Sequence, residues 1–230
     1  VSRVREHLSI IYRDQDISSL AVDFISEMAM GRVIQRPIPH TNHWDQGDVF
    51  LITYGNTIRC ESELPLVTLG RFLDKYLKGY ITGVHILPFF PFSSDDGFSV
   101  IDYSSVNPSL GDWKHIESIS KKYKLMSDVV INHISSRSRW FENYKNGEDP
   151  GRDYFIEANP DNDFDKVVRP RNSPLLTEVR TINGSKYVWS TFSGDQIDLN
   201  FRNPKVLKEF VRIIRDYLNH GISVFRMDAV

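Results

Sequence analysis

The sequence has almost no cysteine, no long apolar run and almost no net charge, and each shortage narrows what it can be. A single cysteine, Cys60, excludes an intramolecular disulfide and suits a reducing compartment, so a cytoplasmic protein is expected. Cys60 lies in the polar stretch NTIRCESE, with no histidine near it in sequence, which argues against a catalytic thiol. No stretch approaches the roughly 20 apolar residues that cross a bilayer, and the opening VSRVREH carries no signal-peptide core, so no membrane partner is expected. With 28 Lys and Arg against 30 Asp and Glu, the chain offers no basic surface for nucleic acid. Repeats and low-complexity tracts are also lacking.

What is present is a chain of 230 residues, 40% hydrophobic and 12% aromatic, long enough to bury a real core. Residues 1–45 hold two helical patterns, near 3–13 and 17–30, then the Pro-containing link RPIPHTNHW, and read as a helical extension. From there the rhythm changes. Short apolar runs at 48–53 (DVFLIT), 82–89 (TGVHILPF), 125–132 (LMSDVVIN) and 222–228 (ISVFRMD) read as buried strands. Between them, 65–77, 112–123 and 203–221 carry helical periodicity. In the first, Leu66, Leu69, Phe72, Leu73, Tyr76 and Leu77 share a face. In the last, Asn203 serves as N-cap, Pro204 stands in the first turn and Gly221 closes the end. Strand–helix alternation with apolar strands predicts a parallel sheet covered by helices. Residues 46–133 read as the first part of the main domain, with its first three strands; residues 134–202, richer in Asn, Asp, Pro and Arg, break the alternation and read as an inserted domain, before the main domain continues at 203–230.

In parallel α/β folds the chemistry gathers at the carboxyl ends of the strands. Here those ends carry Thr53 and Tyr54; the loop PFFPFSSDDGF with Asp95, Asp96 and Phe98; Asp128 and Asn132–His133; and Arg226 with Asp228. Each has a plainer reading. His133 can be a hydrogen-bonded core residue, Asp95–Asp96 beside Gly97 an Asx turn, Asp128 an anchor for a loop or an arginine, and Arg226–Asp228 a structural ion pair. Two residues apart on a strand, Arg226 and Asp228 leave the same face, and the arginine can hold the carboxylate ionised. An ionised carboxylate in a dry pocket is what a glycosidic nucleophile must be.

At these residues the sequence resembles a known family. SDVVINH (127–133) and GISVFRMDAV (221–230) resemble the first two conserved regions of the α-amylase superfamily, glycoside hydrolase family 13. LITYG, GVHILPFFPFSSDDGFSVIDY, VVRPR and VWSTFSGDQIDLN resemble its sucrose phosphorylase and glucosylglycerate phosphorylase subfamily, and the likeness covers about residues 46–230. The resemblance implies a (β/α)8 TIM barrel, present here through about its first four βα units. It implies Asp228 as nucleophile and Arg226 as the residue that orients it. His133 and Asp95 would bind glucose hydroxyls, Phe98 would stack on the sugar, Phe192 and Gln196 would border the acceptor, and Arg171 or Arg169 would help hold phosphate or the acceptor.

The implied reaction moves glucose from a small α-glucoside to inorganic phosphate through a covalent β-glucosyl ester, with no cofactor and no metal. The acidic segments EDPGRDYF and NPDNDFD are accordingly read as solvated surface. The general-acid Glu of strand five and the His–Asp pair of strand seven would lie outside these residues, so the chain alone is expected to be an inactive half-barrel with exposed edges. A hydrolase or transglucosidase of the same superfamily is the alternative, and a non-catalytic carbohydrate-binding protein a second.

Overall fold

A computed structural model describes residues 2–28, 44–169 and 171–230. Helix α1 (Ser2–Ile11) and helix α2 (Ile17–Glu27) form the leading pair. Asp16 caps α2, its Oδ1 accepting the Ser18 and Ser19 amides at 3.1 and 3.3 Å. The second helix, expected through Met30, ends at Glu27, and the RPIPHTNHW link lies outside the described residues except for Trp44. Leu8, Tyr12, Ala21 and Phe24 form a small core that packs against Leu207 and Val211 further along the chain.

Strand β1 (Phe50–Thr53) starts two residues later than its apolar run suggests. The Asp48 carboxylate is tied to Lys124 and the Val49 amide to the Thr82 hydroxyl, so the run enters the sheet only at Phe50. Helix α3 (Pro65–Phe72) follows, but the expected helix to residue 77 widens into a π turn over Leu73–Leu77. The wider turn shifts the phase of the side chains, so Leu73 is buried while Tyr76 points outward, 55% exposed. Strand β2 (Gly83–Ile86) stops short of Pro88, which has no amide for the ladder. Helix α4 (Trp113–Ser120) begins with a reciprocal cap, Asp112 accepting the His115 amide while His115 Nδ1 accepts the Asp112 amide. Strand β3 (Lys124–Val130) completes the first three sheet strands.

The segment after β3 has its own structure. Strand β4 (His133–Ser135) is followed by helix α5 (Arg139–Asn146), a hairpin of strands β5 (Leu176–Thr181) and β6 (Gly184–Trp189), and strand β7 (Gln196–Asp198), which returns to pair antiparallel with β4. Helix α6 (Pro204–Asn219) has the Asn203 cap and the closing glycine that the sequence predicts. Gly221 has φ +85°, and a Cβ there would meet Ser120 Oγ at 2.2 Å. Strand β8 (Ile222–Asp228) then joins the main sheet, whose order is β1-β2-β3-β8, all parallel.

Leu66, Leu69, Ile116, Ile119, Val84, Ile86, Leu125, Phe210 and Tyr217 fill the space between this sheet and its helices. The rings of Phe90 and Tyr217 stack at 5.0 Å. The register sets Asp128 beside Arg226 and Val130 beside Asp228, which fixes what meets at the carboxyl edge.

Candidate active site

Two clusters share the carboxyl end of the sheet. The first is a chain of charges. Arg226 Nη1 donates to Asp128 Oδ1 while its Nη2 lies 3.0 Å from Asp228 Oδ1. The other Asp128 oxygen lies 2.7 Å from His85 Nε2. Asp128 is fully enclosed, whereas the Asp228 side chain keeps 18% of its surface open. One guanidinium therefore braces an open carboxylate against a buried one, a task for which its planar fork is suited. Hydrogen bonding to Asp128 foremost, and the charges of both aspartates, push the Arg226 pKa up, so its charge is permanent. Asp228 is followed by Ala229 at φ +54°, a left-handed residue that turns the chain at the strand end.

The second cluster is polar and aromatic. Asp95 and Asp96 both have positive φ (56° and 50°), and Gly97 follows at +107°, where a Cβ would meet the Pro88 carbonyl oxygen at 2.9 Å. This contorted turn presents Asp95 Oδ2 to the Gln196 side-chain amide at 2.9 Å. It also aims the Phe98 carbonyl at His133 Nε2, 3.0 Å away. Gln196 Nε2 lies 3.1 Å from the same imidazole nitrogen. A carbonyl has no proton to give, so Nε2–H donates to Phe98, and the Gln196 amide donates to Asp95. Burial pulls the His133 pKa down, against the Phe98 carbonyl and the charges of Asp198, Asp228 and Asp95, which favour the proton. Phe192 lies against the His133 ring at 4.9 Å, and the Arg226 guanidinium sits 5.7 Å from the Phe98 ring centre, joining the clusters. Tyr54, at the end of β1, has its phenol pKa raised by burial and by the charges of Asp96, Asp128 and Asp95.

The sequence-predicted residues divide accordingly. Asp228, Arg226, Asp95, Phe98, His133, Phe192 and Gln196 come together. Arg169 stands aside, its Nη1 donating to the Thr191 carbonyl at 3.1 Å, one residue before Phe192. Arg171 is exposed and, among the described residues, makes no hydrogen bond or ion pair. The plainer reading of Asp128 holds, since it anchors an arginine.

Sequence reasoning missed His85, although a lone imidazole inside an apolar, doubly covered strand must find a polar partner, and Asp128 one strand away is that partner. It also missed Asp198, which accepts from the Thr191 amide and hydroxyl and so fixes the approach to Phe192. No group of three His, Cys, Asp or Glu side chains suited to holding a metal occurs among the described residues. Nor is any described helix long and apolar enough to cross a membrane.

A carboxylate braced by a fixed cation, beside a neutral imidazole, an acidic acceptor and an aromatic face, can bind a polyhydroxylated ring and present a nucleophile to it. Parallel strands alternating with helices, with these groups at the carboxyl edge, define a β/α-barrel domain. The match of residues 73–230 to the model described as "Alpha amylase, catalytic domain" makes the chain a member of that family.

A glucosylglycerate phosphorylase of Spirochaeta thermophila is 47% identical over 204 residues, 89% of this chain and 33% of that protein. One from Allomeiothermus silvanus is 41% identical over 227 residues, 99% of this chain and 40% of that protein. The crystal structure of a sucrose 6F-phosphate phosphorylase from Thermoanaerobacter thermosaccharolyticum superposes with a TM-score of 0.73 at 29% identity, covering 81% of this chain and 40% of that one. The chain thus spans 33% to 40% of the length of these relatives, and the expected leading βα units of the barrel are borne out.

Proposed function

We propose that the intact gene product carrying this chain is a retaining α-glucosyl phosphorylase acting on a small α-glucoside. The observation that carries the reading is the Arg226-braced Asp228 beside Asp95, His133, Gln196 and Phe98. The phosphorylase relatives support the acceptor. In the first step an Asp228 carboxylate oxygen attacks the anomeric carbon, the bond to the leaving-group oxygen breaks, and that oxygen takes a proton from an acid not assigned to these residues. In the second step a phosphate oxygen displaces Asp228 from the same carbon, giving α-glucose 1-phosphate and regenerating the carboxylate. Two inversions retain the α configuration. Arg226 keeps Asp228 ionised and aimed, and Asp95 and His133 bind ring hydroxyls while Phe98 covers the apolar face of the sugar. Phosphate is assigned to Arg171 or Arg169, and of the two it is Arg171 whose exposed side chain makes no hydrogen bond or ion pair among the described residues.

Glucosylglycerate is the first donor to try, sucrose the second. The intact protein incubated with each, with and without phosphate, is expected to release glucose 1-phosphate only when phosphate is present. Asp228→Asn should lower the rate by about 10⁴-fold or more, since the covalent route is lost. Free glucose formed at the same rate without phosphate would sink the phosphorylase reading in favour of a hydrolase.

A further inference from the structure

Asp195 has no part in the chemistry above, yet its carboxylate is the most heavily hydrogen-bonded group near the site. Its Oδ2 accepts from the hydroxyls of Ser93 and Ser94, each at 2.5 Å, with Ser99 Oγ at 3.0 Å. Its Oδ1 accepts from Ser136 Oγ at 2.6 Å, with Ser135 Oγ at 3.5 Å. Its backbone carbonyl accepts the Ser136 amide at 2.8 Å. Among the described residues no cation pairs with it. Burial pushes its pKa up, but the hydroxyls of Ser136, Ser93, Ser94 and Ser99 outweigh that and hold it below the usual carboxylate range.

These donors come from two separate segments, and Asp195 itself from a third. Ser93, Ser94 and Ser99 bracket the strained turn that carries Asp95 and Phe98. Ser135 and Ser136 end the short strand that begins with His133. Asp195 immediately precedes Gln196. Asp95 and Phe98 therefore each adjoin a serine that this carboxylate holds, His133 is two and three positions from Ser135 and Ser136, and Gln196 adjoins Asp195 itself. Both oxygens accept from hydroxyls, so an amide in its place would remove the charge and oblige the hydroxyls on one side to turn from donors into acceptors.

We propose that Asp195 is a positioning residue that clamps the Asp95–Phe98 turn to the His133–Gln196 strand pair and so sets the width of the donor-sugar site. The inference rests on the glucosyl-transfer reading, and its test is independent of whether phosphate or water is the acceptor. α-Glucosyl fluoride is the donor for the intact protein, because its leaving group needs no proton, and fluoride release is followed with and without phosphate. Asp195→Asn is expected to lower kcat/KM for the fluoride by about 30-fold, since small misplacements of binding groups are costly. In an Asp95→Asn background the same change should cost clearly less, about 10-fold or below, because one of the groups that the clamp positions no longer binds the sugar as a carboxylate.

An equal factor in both backgrounds would make Asp195 a scaffold residue only, and an unchanged kcat/KM would overturn the proposal outright. If Asp195→Asn does not fold, Ser136→Ala removes one hydroxyl from the inserted side, and it must show the same coupling to Asp95 at a smaller factor or the proposal fails. Fluoride release that ignores phosphate removes the phosphorylase assignment but leaves the clamp standing. A parent protein inert to the fluoride overturns the glucosyl reading and the donor-site role together.

Discussion

His133 is nearly buried, and its titration has a calculable consequence. Burial lowers its folded pKa below the free value of about 6.5, so between the two values the unfolded chain binds the proton and the folded chain does not. Stability therefore rises with pH up to about 6.5, is flat above, and is lost as pH falls below that value. Asp195, depressed instead as a carboxylate, adds stability that is lost only at lower pH, below the ordinary carboxylate value of about 3.9. Asp198, Asp228 and Asp95 all face His133, and their charges limit the effect. His133→Gln is expected to flatten the acid limb just below about pH 6.5, by at most about 1.4 kcal/mol per pH unit. Urea midpoints across that range check it, and an unchanged limb would mean that His133 does not titrate there. At this scale, sequence reading was unequal. The Arg226–Asp228 pair follows from the period of a strand, which any reader of ISVFRMD can apply. The His85–Asp128 pair requires the register between two strands 43 residues apart. The Asp195 contacts are with serines, which leave no pattern to read.

Among the elements, helix α6 carries a buried polar group with no partner among the described residues. Tyr217 is buried, stacked on Phe90, and its hydroxyl finds no partner among the described residues. Replacing it by phenylalanine keeps the ring contacts and removes a polar group that burial penalises. Tyr217→Phe should stabilise the protein by about 1 kcal/mol, or a few degrees in Tm. A fall in Tm would mean that the hydroxyl is satisfied by water. The outer face of α6 holds the leading helices, with Arg212 and Arg215 both reaching Glu27 and the Tyr12 hydroxyl donating to the Phe201 carbonyl at 3.0 Å. Helix α6 and the main strands were legible because length, caps and apolar runs agree with one another. The π turn after α3 was not, since its residues continue a helical period in sequence. Strands β4 and β7, three residues each, are too short to carry a period at all, and only their pairing across the inserted segment defines them.

Among the described residues, the main sheet has two unpaired edges, β1 and β8. Ile52 and Met227, at 64% and 40% exposure, lie on those outermost strands. Open edges and exposed apolar side chains promote pairing between chains. Prepared as these 230 residues alone, the chain should therefore show a mass by light scattering that rises with concentration. A constant monomer mass up to about 100 µM would show that the edges are adequately guarded. The pairing of β3 with β8 has a consequence in time. Asp128 and Arg226 are 98 residues apart, and at ribosomal speeds of roughly 5–20 residues per second the arginine emerges about 5–20 s after its partner. The whole inserted segment is synthesised within that interval. A nascent chain therefore has time to close the β4–β7 and β5–β6 pairs while His85 alone attends the Asp128 carboxylate, and the strand bearing Arg226 and Asp228 arrives on a surface already laid out to receive it.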